Sequence, residues 1–107
     1  MTTTTVDVNK TPDGTIVIHP RGILDASDAV GLRRTLVQAI RHQRPLRLVL
    51  DLADVTELDP INLGTLAAAC HIGDDHQVAV FLDHTSAHLA ALLTAAGVPR
   101  HRLRDTR

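Results

Sequence analysis

A chain of 107 residues has room for one hydrophobic core, and the sequence reads as a single domain spanning residues 1–107. Hydrophobic residues make up 44% of it but aromatic ones only 1%, so the core is aliphatic and no aromatic platform exists on which nucleic-acid bases could stack. Eleven basic and twelve acidic residues leave a formal charge of −1, which excludes the basic footprint of a nucleic-acid binder.

Met1 to Thr5 is a threonine-rich start, expected to be frayed and then to join an edge strand. Val6 and Val8 alternate with Asp7 and Asn9, the period of a half-buried strand. Thr11-Pro12-Asp13-Gly14 reads as a turn, because Pro12 pre-sets its φ, Asp13 can bond the local backbone and Gly14 allows positive φ. It joins the first strand to Thr15–His19 in a hairpin, and Pro20-Arg21-Gly22 is expected to end that second strand.

Ala26 to His42 is the first helix, with Ala29, Leu32, Leu36 and Ile40 forming one apolar stripe. Either Asp25 or Ser27 can cap it, and Arg41-His42-Gln43-Arg44 places cations at its C-terminus. Leu46, Leu48, Leu50 and Leu52 then define one face of a central strand. Val49 makes the other face apolar too, as expected of a parallel strand covered by helices. A polar loop leads to Asp59, an N-cap, and Pro60, a residue suited to the first helical position. The second helix is expected from Pro60 to about Ile72 with Leu63, Leu66, Ala67 and Cys70 inward, Gly64 packed closely, and Gly73-Asp74-Asp75 as the stop. Gln77–Leu82 is a further strand, and a third helix runs from about Ser86 to Ala96 with Gly97 just beyond its end. Val98–Leu103 adds a short last strand before a basic tail. Strand–helix alternation of this kind predicts a partly parallel α/β sheet.

The stretch from Leu46 to Cys70 resembles the STAS domain, the fold of bacterial anti-sigma factor antagonists. The family's strand ending D-L-x-x-V matches Asp51-Leu52-Ala53-Asp54-Val55, and its helix-opening D-S-x-G-L-G matches Asp59-Pro60-Ile61-Asn62-Leu63-Gly64. Gly22-Ile23-Leu24-Asp25, followed by Leu32-Arg33, fits the family's upstream G-x-L-D and its helix. The serine position holds Pro60 and the first glycine position Asn62. The resemblance covers nearly the whole chain and implies an α/β, STAS-like mixed sheet of four to five strands with about three to four helices, mainly on one side of the sheet.

Residues that could carry chemistry are few. Ser27 and Ser86 stand where helix caps are wanted, and Cys70 lies mid-helix among alanines, so no nucleophile–base pair is visible. His84 and His88 have the i, i+4 spacing of metal ligands, but His84 precedes the expected cap at Ser86. Cys70, His71, Asp74, Asp75 and His76 crowd a helix end without zinc-site spacing. Gly22, Gly31 and Gly64 stand alone, so no phosphate loop can be built. No metal, cofactor or enzyme activity is expected. No run approaches a transmembrane span, no charged-then-apolar leader opens the chain, and Cys70 has no disulfide partner, which together suit the cytoplasm without direct membrane contact.

What the resemblance implies is a non-enzymatic interaction module that binds an anti-sigma factor and so regulates transcription by partner switching. That partner is often a kinase-type ATP-binding protein which phosphorylates the helix-opening serine. Pro60 has no hydroxyl, so the nearest candidates for phosphorylation are Thr56, in the loop, and Thr65, past the first turn. The expected partner-binding patch is Asp59, Pro60, Ile61, Asn62 and Leu63 with the adjoining Gly22–Ser27 loop, in which Gly22, Asp25 and Ser27 are the named members. Ile61 is the apolar anchor, Asn62 the hydrogen-bonding member and Asp59 the residue that fixes the helix end. A homodimer is compatible with this reading. The alternative implied by the same family is an accessory subunit of an ABC lipid-transport system, which needs no phosphoserine.

Overall fold

Period-two segments become strands and period-3.6 segments become helices in the computed structural model, which describes residues 5–104. Strands β1 (Thr5–Lys10) and β2 (Thr15–Leu24) form the antiparallel hairpin, with Val8 opposite Ile18. Its turn is closed by the Thr11 N–H donating to the Thr15 carbonyl at 2.8 Å and by Asp13, which accepts from the Thr15 N–H at 3.2 Å. Helix α1 (Ala29–Gln38) is preceded by a 3-10 turn at Ala26–Asp28 and followed by a π-helical turn at Ala39–Gln43. Then come β3 (Arg47–Asp51), β4 (Val55–Leu58), α2 (Pro60–Asp75), β5 (Ala79–Asp83), α3 (Ala87–Ala95) and β6 (Leu103–Arg104).

The six strands make one mixed sheet in the order β1-β2-β3-β5-β6, with β4 pairing with the end of β2. Every pairing except β1–β2 is parallel. Alternation decides which side chains meet the helices. Ile16 and Ile18, Leu48 and Leu50, and Val80 and Leu82 point into one core with Leu32 and Leu36 of α1, Leu66 and Cys70 of α2 and Leu93 of α3. The opposite sheet face carries Val17, Phe81, Asp51 and Asp83, with the Arg104 guanidinium lying 4.4 Å from the centre of the Phe81 ring. The α/β class, mixed sheet and three α-helices agree with expectation, and the sheet has one strand more than the upper estimate.

The extra strand is β4, which lies where the sequence suggested a loop. It is held by parallel pairing of Leu58 with Leu24 and Val55 with Gly22, across a bulge between Gly22 and Ile23. Nor does Pro20-Arg21-Gly22 end β2. Pro20 lies opposite Val6 of β1, and on the other edge of β2 it falls between the last residue paired with β3, Ile18, and the first paired with β4, Gly22, so no bond to β3 or β4 is lost to its missing N–H. Leu46 precedes β3 and is 69% exposed, so it does not share the core face of Leu48 and Leu50.

Helix α2 continues through Gly73-Asp74-Asp75 rather than stopping there. Gly73 is the close-packed glycine: a Cβ there would stand 2.6 Å from Val80 Cγ2 and 2.7 Å from the Val78 carbonyl oxygen. Gly64, expected to have that role, has nothing within 4 Å of the equivalent position. The last strand is shorter than Val98–Leu103, because Arg100–Arg102 form a 3-10 turn before β6. The expectations for Met1–Thr4 and for the basic tail at 105–107 lie outside the described residues.

Candidate functional site

Two strand ends and one helix start converge beside the sheet. β2 finishes at Leu24 and β4 at Leu58, in register, so Asp59 emerges beside Asp25. Asp59 then caps α2: its carboxylate accepts from the Ile61 N–H at 3.0 Å, and Pro60 occupies the first helical position. An extended Asp followed by Pro satisfies an orphan donor and removes another, which is why the helix starts here. The Asp59 N–H donates to the Leu24 carbonyl at 2.8 Å, tying the cap to β2.

Asn62 makes the second tie. Its Nδ2 donates to the Leu24 carbonyl at 2.9 Å and to the Asp25 carbonyl at 2.8 Å, and the residue is completely buried. Its Oδ1 is buried without a partner. Asn62 was expected to offer hydrogen bonds to a partner, but the side chain faces inward and is used in holding the loop. Leu63 is 8% exposed and belongs to the core, so it too lies beneath the patch. One first-turn backbone cannot present five successive side chains on the same side, because they rotate around the helix axis.

The loop is shaped by its own capping box. Asp25 accepts from the Ser27 N–H at 2.9 Å and the Ser27 hydroxyl at 2.6 Å, while Asp28 accepts from the Asp25 N–H at 3.0 Å. The two candidate caps therefore resolve in favour of Asp25. The Ser27 hydroxyl, followed by other local hydrogen bonds, holds the Asp25 carboxyl below its ordinary range. Gly22 has φ of 92°, a conformation open to glycine, and its N–H donates to the Asp54 carbonyl at 2.8 Å.

What reaches solvent is a smaller patch than the motif suggested. Asp25, Ser27, Pro60 and Ile61 are exposed, with Gly22 and Asp59 partly so. Ile61 is 54% exposed, and Ile23, which lies within the expected Gly22–Ser27 loop but was not singled out there, is 42% exposed. Alternation could have found Ile23, since Leu24 points inward and its neighbour must point out. A cleft of about 400 Å³ opens beside the patch between β4 and the start of α3, lined by Ile23, Asp25, Thr56, Asp59, Ser86 and His88. Thr56 is exposed on β4, whereas Thr65 is partly buried and donates its hydroxyl to the Ile61 carbonyl at 3.1 Å.

The other clusters do not assemble. The His84 ring lies 2.8 Å from Asp51, outside α3, while His88 follows the Ser86 cap and is exposed. Asp74 pairs with Arg102 at 2.6 Å, and the His76 ring bonds the Ile72 carbonyl at 2.9 Å. Among the described residues no three His, Cys, Asp or Glu side chains converge at metal-ligand spacing. Cys70 is buried, and burial pushes its thiol up to about 11, far from a reactive thiolate. Among the described residues no helix is long and apolar enough to cross a membrane.

A strand–cap–helix joint bolted to a neighbouring loop is also the element in which the sequence resembles STAS domains. A family model described as "Mlab, STAS domain" matches residues 8–105. The chain belongs to the STAS family. No curated protein matches it. Among solved structures, it is similar to an anti-sigma factor antagonist from Mycobacterium paratuberculosis, at 27% identity and a TM-score of 0.69, covering 97% of this chain and 87% of that one. The Bacillus cell fate determinant SpoIIAA in its phosphorylated form shares the fold at 14% identity and a TM-score of 0.78, covering 96% of this chain and 93% of that one. So does part of a murine Solute Carrier 26 family anion transporter, at 17% identity and a TM-score of 0.72, covering 88% of this STAS domain and 16% of the transporter.

Proposed function

We propose that this STAS domain is a non-enzymatic, cytoplasmic interaction module of the anti-sigma factor antagonist type, which binds an anti-sigma factor and thereby regulates transcription. The observation that carries the reading is Ile61. A large apolar side chain stands 54% exposed on the first turn of α2, where the Asp59 cap and the Asn62 tether hold it in one place. Ile23 lines the adjoining cleft, and Asp25 and Ser27 provide a polar border. An apolar anchor with a polar rim on a pre-formed surface is how interfaces concentrate affinity.

Regulation follows from Pro60. With no hydroxyl at the position that matches the family's serine, the partner is not released by phosphorylation there. Thr56, exposed beside the same cleft, is the hydroxyl a kinase-type partner could reach, and a phosphate on it would add charge next to Asp25 and Asp59. The missing hydroxyl also favours a second reading, an accessory subunit of an ABC lipid-transport system. A kinase-like protein or an ATPase subunit in a pull-down separates the two.

The test is titration of wild type, Ile61→Asp, Pro60→Glu and Pro60→Ser against the protein recovered. Ile61→Asp should cost about 2 kcal/mol or more of binding, as for a central anchor. Pro60→Glu suits the helix dipole yet repels a partner adapted to an uncharged turn. Wild-type affinity in both variants would remove the helix-opening patch as the interface.

A further inference from the structure

Helix α2 is apolar on two sides, although only one faces the core. Leu63, Leu66, Ala67 and Cys70 are buried against the sheet. A second row, Ile61, Gly64, Ala68 and Ile72, recurs at spacings of three and four and lines a groove shared with α1. A helix apolar all round is normally covered all round. Here the groove is open: Ile61 is 54% exposed, and a Cβ at Gly64 would meet nothing within 4 Å. On the α1 bank stand Val37, partly buried, and Val30, 68% exposed. Two adjoining hollows of about 250 and 350 Å³ share Arg33, Val37 and Ile72, so the groove is continuous. From Ile61 to Ile72 it follows three turns of helix, about 16 Å.

The charge on this groove has one sign. Arg33, Arg34 and Arg41 line it, and no carboxylate does. Among the described residues none of these guanidiniums forms an ion pair, although Arg21, Arg47, Arg102 and Arg104 all do. Unpaired arginines beside uncovered aliphatic side chains match an amphipathic partner whose polar flank is acidic, because the guanidinium fork can take a carboxylate in two-point contact.

We propose that the α1–α2 groove is a second docking surface, which meets the α2 N-terminal patch only at Ile61, and that it receives an acidic amphipathic helix from a partner protein. The apolar stripe of that helix lies on Val37, Ala68 and Ile72, and its carboxylates meet Arg33, Arg34 and Arg41. The groove binds a helix rather than a flat surface because its floor is concave and about three turns long.

The test uses a synthetic amphipathic peptide of about four turns, with a leucine stripe flanked by glutamates, and a control carrying lysines in their place. Titrated into the labelled full chain and followed by amide shifts, the acidic peptide should bind, perturb Val37, Gly64, Ala68 and Ile72, and weaken with added salt. Val37→Asp, and separately the double variant Arg34→Glu with Arg41→Glu, should lower its affinity at least tenfold, and the double variant should gain affinity for the lysine peptide. Pro60→Glu should leave peptide binding unchanged while weakening a partner of the N-terminal patch, so the two surfaces fail separately. Unchanged melting curves establish that the variants fold. Equal binding of both peptides, no binding, or shifts elsewhere would overturn the proposal. So would Arg-dependent binding to vesicles of anionic lipid without peptide binding, which assigns the groove to a membrane surface. A concentration-dependent dimer abolished by Val37→Asp would assign it instead to a second copy of the chain.

Discussion

Replacing Asn62 by aspartate changes one group, an NH₂ into an oxygen, at a site where both amide protons are used. In the wild type Nδ2 lies between the Leu24 and Asp25 carbonyls, at 2.9 and 2.8 Å, with no exposure to solvent. An ionised carboxylate there would face two carbonyl oxygens. The native state instead protonates it, and at pH 7 that costs at most about 4 kcal/mol for a group with an ordinary aspartate value. One donor remains where there were two, which adds about 1 kcal/mol. The expected loss is therefore about 4–5 kcal/mol at pH 7 and only about 1–2 kcal/mol at pH 4. The sign follows from linkage: the folded form binds a proton that the unfolded chain releases, so the deficit grows as pH rises above the unfolded value. Asn62→Ala is the control. Both carbonyls keep another donor, the Asp59 N–H at 2.8 Å and the Asp28 N–H at 3.1 Å, so its loss is about 2 kcal/mol and independent of pH. With no Trp or Tyr in the chain, the assay is urea unfolding followed by far-UV circular dichroism at both pH values. An Asn62→Asp deficit that is the same at pH 4 and pH 7 would refute the buried double-donor arrangement.

Further predictions rest on single observations. Gly73→Ala should destabilise by about 1–3 kcal/mol in denaturant melts, since its Cβ would meet the Val78 backbone. Gly64→Ala has open space and should gain up to about 1 kcal/mol. Burial pushes the Asp51 carboxyl up, but the Ala53 N–H and the His84 ring outweigh it and hold it below the ordinary 3.8. Its stabilisation is thus present above that value and lost as pH falls through the lower folded-state value, so Asp51→Asn should differ from wild type at pH 7 and converge on it in acid-range melts. Cys70, buried and with its thiol near 11, should be alkylated at pH 7 only in unfolding concentrations of urea. Rapid labelling of the native protein would show that α2 opens locally.

Much of the architecture was legible because its causes are local. The stripe at Ala29, Leu32, Leu36 and Ile40 identifies α1, the alternation at Val78, Val80 and Leu82 identifies β5, and Asp59-Pro60 starts α2 by capping chemistry that needs no distant residue. Helix and strand periods, caps and turns are properties of a few successive residues, and the chain carries them wherever it folds. Other features depend on what lies opposite. Val55-Thr56-Glu57-Leu58 has no period of its own and becomes β4 only by pairing with Gly22–Leu24. Leu46 has the pattern of a core residue but lies one position before β3, outside helix cover. Gly73 rather than Gly64 is the close-packed glycine because β5 crosses α2 at that end, and no local signal distinguishes the two. Asn62 stood in the motif as a surface residue. The proximity of the Leu24 and Asp25 carbonyls turned it inward, since two acceptors converging on one buried position need a double donor more than solvent does.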